Sequence, residues 1–126
     1  MLDHVSVAVR DLAASAAAYD HVLGAIGLRR LVERPATVGF GKKYPEFWLN
    51  ARPAQTPLSP DTGIHICLRA PDEAAVRAFH AAALLAHWLD AGSPGLRQGE
   101  MTAYYGAFVQ DQDGNKLEAA TFPRKA

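Results

Sequence analysis

The sequence has no excess of either charge, only one cysteine and no long apolar run. Its 126 residues include 13 basic and 13 acidic ones, so it lacks the basic surface typical of nucleic-acid binding, and we expect no nucleic-acid partner. Cys67 alone cannot form a disulfide within the chain, which fits a reducing, cytoplasmic location. No stretch approaches the roughly 20 apolar residues that span a bilayer, and the N-terminal residues lack a signal-peptide pattern. We therefore expect no membrane partner.

The N-terminal stretch shows the two-residue period of a strand. Its two faces carry different residues: Val5, Val7 and Val9 on one, and His4, Ser6 and Ala8 on the other. The period then changes to that of a helix, for which Asp11 is a suitable N-cap. Three short strand patterns follow, up to Asn50. Three prolines between residues 51 and 62, Pro53, Pro57 and Pro60, then predict an irregular linker.

The second half of the chain repeats the first. His65 lies 61 positions after His4, and Asp72, which can cap a second helix, lies 61 positions after Asp11. Three more strands are predicted after that helix, with Asp113-Gly114 as a tight turn before the last one. The sequence thus predicts one α+β domain of two strand–helix–strand–strand–strand modules, about residues 1–52 and 62–123. Because neither half buries its sheet well alone, we expect the modules to pair within the chain or with another subunit, leaving a concave groove.

Two details of the second half follow from local signals. The segment Gly92-Ser93-Pro94-Gly95 predicts a break after the second helix, with the next strand beginning at Leu96. The histidines in or near the helices, His21, His80 and His87, are predicted to lie at the surface.

Together these patterns resemble a known family. Two such modules, a histidine in the first strand of each, and the closing run Asp113-Gly114-Asn115-Lys116-Leu117-Glu118 look like the vicinal oxygen chelate superfamily. That superfamily contains glyoxalases, extradiol dioxygenases, and bleomycin and fosfomycin resistance proteins. The resemblance extends from Leu2 to about Phe122 and implies the fold of two curved sheets around a groove. It leaves the reaction open, because this scaffold carries many chemistries.

The resemblance also implies a metal site. By position, His4, His65 and Glu118 would hold a divalent ion, with Fe, Mn, Ni, Co and Zn as candidates. Such an ion would bind two adjacent oxygens of a substrate, and Glu118, or Glu46 if it lies in the groove, would double as the proton-transferring base. The fourth ligand position of glyoxalases falls nearest Trp48 here. Either Glu46, the carboxylate within reach, substitutes for that ligand, or the site has three ligands.

Two functions remain open from the sequence. The first is a metal-dependent enzyme of the lyase, isomerase or dioxygenase type, and the second is a metal-free protein that sequesters a small molecule or antibiotic between aromatic side chains. In both, a homodimer with a small-molecule ligand is expected. The predicted substrate-binding residues are Glu46, Trp48, Arg69, Tyr104 and Tyr105. Since Tyr104 and Tyr105 lie on opposite faces of one strand, one of them should face the groove.

Overall fold

The computed structural model describes residues 1–59 and 61–123; Pro60 of the predicted linker lies outside these ranges. The first half contains β1 (Val5–Val9), α1 (Leu12–Gly24), β2 (Arg29–Glu33), β3 (Thr37–Gly41) and β4 (Phe47–Ala51). The second half has the same order, with β5 (Ile66–Arg69), α2 (Glu73–Leu85), β6 (Leu89–Gln98), β7 (Ala103–Gln110) and β8 (Lys116–Thr121).

Each half folds into a four-stranded sheet of the same topology. The strand orders are β1-β4-β3-β2 and β5-β8-β7-β6. In both sheets the first strand is parallel to the last, and the remaining pairs are antiparallel. The predicted α+β fold with two similar modules is therefore confirmed. In the described chain, β1 and β5 lie at sheet edges and each pairs on one side only.

Both helices begin at the predicted caps. The carboxylates of Asp11 and Asp72 accept hydrogen bonds from Ala14 N (3.1 Å) and Ala75 N (2.8 Å), which satisfies amides left free in the first turn. The helices pack against each other, and each covers one face of its own sheet. Each is 13 residues long; in the described chain no helix has the length and apolarity to cross a membrane.

The core lies between the helices and the two sheets. Its largest side chains include Tyr19, Phe40, Phe47 and Phe79, all fully buried. The ring of Tyr19 in α1 meets that of Trp88, which follows α2, with 4.7 Å between their centroids. This edge-on aromatic contact ties the first half to the second.

Polar side chains also join the halves, at the turn between β7 and β8. The Tyr19 hydroxyl donates to Asp111 Oδ2 at 2.7 Å, and the Arg10 guanidinium donates to Asp113 Oδ1 at 2.8 Å. The Asn115 amide donates to the Ala8 carbonyl at 2.9 Å. We call this contact between the end of β1 and the β7–β8 turn the first junction.

Two local predictions were wrong. Strand β6 begins at Leu89 and continues through Pro94; it is an edge strand with bulges, where a missing amide donor and irregular pairing are tolerated. His80 is buried, with 7% of its surface exposed, and its Nε2 lies 3.0 Å from Asp90 Oδ1. The exposed carboxylate of Asp90, on the neighbouring strand β6, thus contacts the buried His80 ring from the protein surface.

Candidate functional site

A buried carboxylate lies on the face of the second sheet opposite α2, which we call the open face. Glu118 in β8 is 3% exposed, and its neighbours across the sheet are Cys67 in β5 and Phe108 in β7. Its Oε1 is 3.2 Å from Nε2 of His65, and its Oε2 accepts a 2.6 Å hydrogen bond from the Tyr104 hydroxyl. His65 immediately precedes β5. The structure therefore brings together two of the three predicted metal ligands.

Tyr104 reaches Glu118 because position 106 has no side chain. A Cβ on Gly106 would lie 2.8 Å from Cε2 of Tyr104 and 3.2 Å from Oε2 of Glu118. Both distances are shorter than ordinary van der Waals contacts, so even a methyl group would push the two side chains apart. Gly106 thus provides the space that the Tyr104 ring occupies when its hydroxyl donates to Glu118.

We expect Gly106→Ala to lower the free energy of unfolding by about 1–3 kcal/mol, because the added methyl group overpacks this contact. Urea denaturation measures the change. The matched control is Gly24→Ala at the end of α1, where an added Cβ meets no atom within 4 Å. That substitution should leave stability unchanged or raise it by up to about 1 kcal/mol. Equal losses in the two variants would contradict the assigned role of Gly106.

Two groups beside Glu118, the Cys67 thiol and the Tyr104 hydroxyl, remain protonated at neutral pH. Partial burial of the Cys67 thiol, together with the adjacent Glu118 carboxylate, raises the pKa of that thiol to about 12. The hydrogen bond to Glu118, together with burial, raises the pKa of Tyr104 to about 12. Both groups are therefore suited to donate hydrogen bonds rather than to act as anionic nucleophiles.

Aromatic rings and cations surround this centre. The Phe108 ring lies 5.4 Å from the His65 ring and packs between Arg97 and Lys116, at 5.3 and 5.2 Å from its centroid. Arg97 itself donates to backbone carbonyls, among them that of Gly106. These contacts produce an open face with an aromatic floor and a positive rim, which suits a small ligand with polar groups.

The remaining predicted metal ligand lies elsewhere in the chain. His4 is exposed immediately before β1 and pairs with Asp3 at 2.7 Å. Trp48 lies opposite Ser6, as Glu118 lies opposite Cys67. The first sheet therefore has an indole where the second has its carboxylate. In residues 1–59 and 61–123, no three histidine, cysteine, aspartate or glutamate side chains come together in a way that would hold a metal.

The other predicted substrate-binding residues occupy different surroundings. The Trp48 ring lies against Gly39, and the Arg34 guanidinium is 5.7 Å from that ring. Glu46 is exposed immediately before β4. Arg69 lies on the open face at the end of β5. Tyr105 lies on the helix side, where its hydroxyl is 3.5 Å from Arg77 Nη1 of α2.

The fold and the family are supported by comparison with known proteins. A sequence model of the glyoxalase/bleomycin resistance protein/dioxygenase superfamily matches residues 1–119. The chain belongs to this superfamily. The resemblance that the sequence motifs indicate is thereby confirmed, and the centre at Glu118 lies within the matched range.

Solved structures of other superfamily proteins share the whole fold. A glyoxalase/bleomycin resistance protein from Albidiferax ferrireducens T118 is 28% identical, covers 97% of this chain and 99% of its own, and superposes with a TM-score of 0.86. A glyoxalase/dioxygenase from Nostoc punctiforme is 20% identical, with coverages of 98% and 92% and a TM-score of 0.71. A lactoylglutathione lyase from Agrobacterium tumefaciens is 18% identical, with coverages of 96% and 92% and a TM-score of 0.64. The last two likenesses show the fold alone. No curated protein matches the sequence.

Proposed function

We propose that this protein is a metal-dependent enzyme of the lyase, isomerase or dioxygenase type that binds a small substrate on the open face of the second sheet. The observation that carries the proposal is the buried Glu118 carboxylate with the His65 imidazole 3.2 Å from it. Burying a carboxylate is costly unless it is paired or bound to a metal, so such a group at the centre of a ligand-sized surface is a candidate for function.

The donor set fits a divalent metal ion. Two ligand atoms that each lie about 2.1 Å from an ion, at right angles, are about 3.0 Å apart, which is close to the distance between His65 Nε2 and Glu118 Oε1. The Tyr104 hydroxyl binds the other oxygen of Glu118, as outer partners of metal-ligating carboxylates commonly do. His65 and Glu118 would thus hold Fe, Mn, Ni, Co or Zn, and one further protein ligand is needed.

We propose that this ligand is His4 of a second copy, in a homodimer. β1 and β5 each have one unpaired side in the described structure, and such edges favour contact with another chain. Large apolar side chains flank the two histidines at these edges: Leu2 is 82% exposed and Ile64 is 70% exposed. Covering these side chains would bring the first sheet of one copy beside the second sheet of the other.

The chain's own residues then have distinct roles. Tyr104 fixes the orientation of Glu118, and Phe108 provides a flat apolar surface for the body of the substrate. Glu118 is the buried carboxylate of this face and the candidate to accept a substrate proton. When bound, the metal would supply Lewis-acid stabilisation of negative charge on two adjacent substrate oxygens.

Metal binding by pairs of variants tests both the site and its sharing between copies. We expect His4→Ala and His65→Ala each to lose metal, measured by elemental analysis of untagged protein equilibrated with Fe, Mn, Ni, Co or Zn. Co-refolding the two variants should restore about one quarter of the wild-type metal, because half of the dimers are mixed and each mixed dimer has one intact site. His21→Ala, on the exposed side of α1, is the control and should retain metal.

Each alternative has its own outcome in this experiment. If co-refolding His4→Ala with His65→Ala restored no metal binding, a site shared between copies would be contradicted. Wild-type protein that stays empty with all five metals would contradict the enzyme and favour the second candidate function, a non-enzymatic binding protein for a small molecule or antibiotic. The observation that favours that candidate is Trp48, which occupies in the first sheet the place of Glu118 in the second.

A further inference from the structure

We infer that a cavity at a second junction between the two halves binds the anionic group, a carboxylate or a phosphate, of a small organic ligand. The cavity has a volume of about 360 Å³ and is lined by Lys42, from the turn between β3 and β4, and by Arg69, Thr121 and Phe122, at the ends of β5 and β8. The inference rests on the proposed function, because Arg69 shares the open face with Glu118, and it adds the charge and the position of one end of the ligand.

Comparison with the first junction shows that, in the part of the chain that the structure describes, the cavity lacks a carboxylate to neutralise its cations. At the first junction, Arg10 at the end of β1 meets the turn between β7 and β8. Its guanidinium donates to Asp113 Oδ1 at 2.8 Å and to the Gln112 carbonyl at 3.0 Å, and its backbone N–H donates to the same Asp113 oxygen at 3.0 Å. A cation from one half is thus neutralised by a carboxylate from the other.

The second junction has the reverse charge pattern. It joins the end of β5, the repeat equivalent of β1, to the β3–β4 turn, the equivalent of the β7–β8 turn. In place of the acidic residues Asp111 and Asp113, this turn carries Lys42 and Lys43; its one carboxylate, Glu46, lies at the far end and does not line the cavity. At the 61-residue offset the equivalent of Arg10 is Pro71, and the cation at this end of β5 is Arg69, two positions earlier. Arg69 lines a cavity together with Lys42 of the basic turn and does not pair with an acidic one. A cavity between like charges is a favourable site for an anion.

The guanidinium of Arg69 is positioned and available. It lies 4.9 Å from the centroid of the Phe122 ring, and that ring stacks on Tyr104 with 5.3 Å between centroids. In the described ranges, Arg69 has no ion pair and no hydrogen bond, so its planar donors are free for a carboxylate or phosphate. The aromatic contact holds the side chain without occupying those donors.

The acidic residues nearest in sequence are engaged elsewhere. Asp72 and Glu73 line a neighbouring cavity, which also borders on Phe122. The Asp72 carboxylate accepts from Ala75 N as the cap of α2, and Glu73 Oε1 lies 3.9 Å from Arg77 Nη1. Neither is among the residues that line the cavity at Lys42.

The cavity is at a suitable distance from Glu118 for one small ligand. Arg69 lies two residues beyond Cys67, which pairs with Glu118 across the sheet. Two residues of a strand span about 7 Å, which is about the length of a six-membered ring with one substituent. A ligand whose anionic group binds at Arg69 would therefore extend over the open face towards Glu118.

Binding of benzoate and phenyl phosphate to metal-free protein tests the inference, with benzamide as the uncharged counterpart of benzoate. We expect both anions to bind more tightly than benzamide, in titration calorimetry with protein passed over immobilised chelator, and to bind more weakly as salt is raised. Arg69→Gln should weaken the binding of both by about tenfold or more, and Arg69→Lys by less, because it retains the charge but not the planar donors. Lys42→Gln should weaken binding by about three- to tenfold.

The matched control is Lys43→Gln in the same turn, since Lys43 carries the same charge but does not line the cavity; we expect a change of less than about twofold. Equal binding of benzoate and benzamide, or equal effects of the two lysine substitutions, would overturn the inference. The metal content of the Arg69→Gln variant distinguishes failure of this inference from failure of the proposed function. Loss of anion binding with metal binding retained supports the inference, whereas anion binding that survives in Arg69→Gln overturns it whether or not a metal binds.

Discussion

Replacing Asp111 with alanine is expected to lower the free energy of unfolding by about 3–5 kcal/mol. The residue is 5% exposed, and burial raises the pKa of its carboxyl group. That carboxylate accepts hydrogen bonds from the Tyr19 hydroxyl, from the Asn115 side-chain amide, and from the backbone N–H groups of Asp113 and Asn115. The substitution leaves these buried donors without a partner and loosens the contact between the two halves.

Urea denaturation followed by tryptophan fluorescence measures this effect, because Trp88 contacts Tyr19. The control is Gln112→Ala in the same turn. Gln112 is exposed and takes part in the first junction through its backbone carbonyl, so its loss should change stability by no more than about 0.5 kcal/mol. Asp111→Asn retains an acceptor oxygen, so its loss of unfolding free energy should lie between those of Asp111→Ala and Gln112→Ala. A loss of under about 1 kcal/mol in Asp111→Ala would show that the first junction does not hold the halves together.

The second large effect is expected at Glu118. Glu118→Gln should weaken metal binding by about 100-fold or more, because a neutral amide replaces an anionic ligand and changes even to outer partners of metal ligands cost 10–100-fold. The fold should persist, since a glutamine oxygen can accept the hydrogen bond from Tyr104. Titration of the metal-free wild type and variant with the metal that binds most tightly provides the measurement.

Glu46→Gln is the matched control for this experiment and also decides between a three-ligand and a four-ligand site. Glu46 is exposed, and Trp48 occupies the place equivalent to Glu118, so we expect its substitution to leave metal affinity unchanged. A loss equal to that in Glu118→Gln would establish Glu46 as a fourth ligand. Unchanged affinity in Glu118→Gln would contradict the proposed metal site.

Much of the fold was predictable because its signals are local. The alternating valines of β1, the caps Asp11 and Asp72, and the tight turn at Asp113-Gly114 each depend on a few neighbouring residues. The 61-residue offset then related the two halves, and the family resemblance indicated His65 and Glu118 as ligands at the first and last strands of the second half. In the structure, parallel pairing of β5 with β8 brings these strands side by side.

Other features depended on contacts between residues far apart in the chain. Strand β6 could extend through Pro94 only because it lies at a sheet edge. His80 lies on the buried face of α2, where Asp90 of β6 provides a partner for its ring. The alternation along β7 assigned Tyr104 and Tyr105 to opposite faces but did not indicate which of them faces the groove. Packing of Tyr105 under α2 left Tyr104 to face Glu118, in space provided by Gly106.

The sequence by itself determined the two modules, because strand period, helix capping and turn chemistry act over a few residues. Its resemblance to the superfamily indicated which residues are the candidate ligands. Only the tertiary structure decided which of those ligands meet. It separates His4 from His65 and Glu118 within one chain, and it brings Lys42 and Arg69 to one cavity. The physical reason is that these arrangements depend on how the two halves pack, and that packing is set by long-range contacts such as those of Tyr19, Asp111 and Asp113.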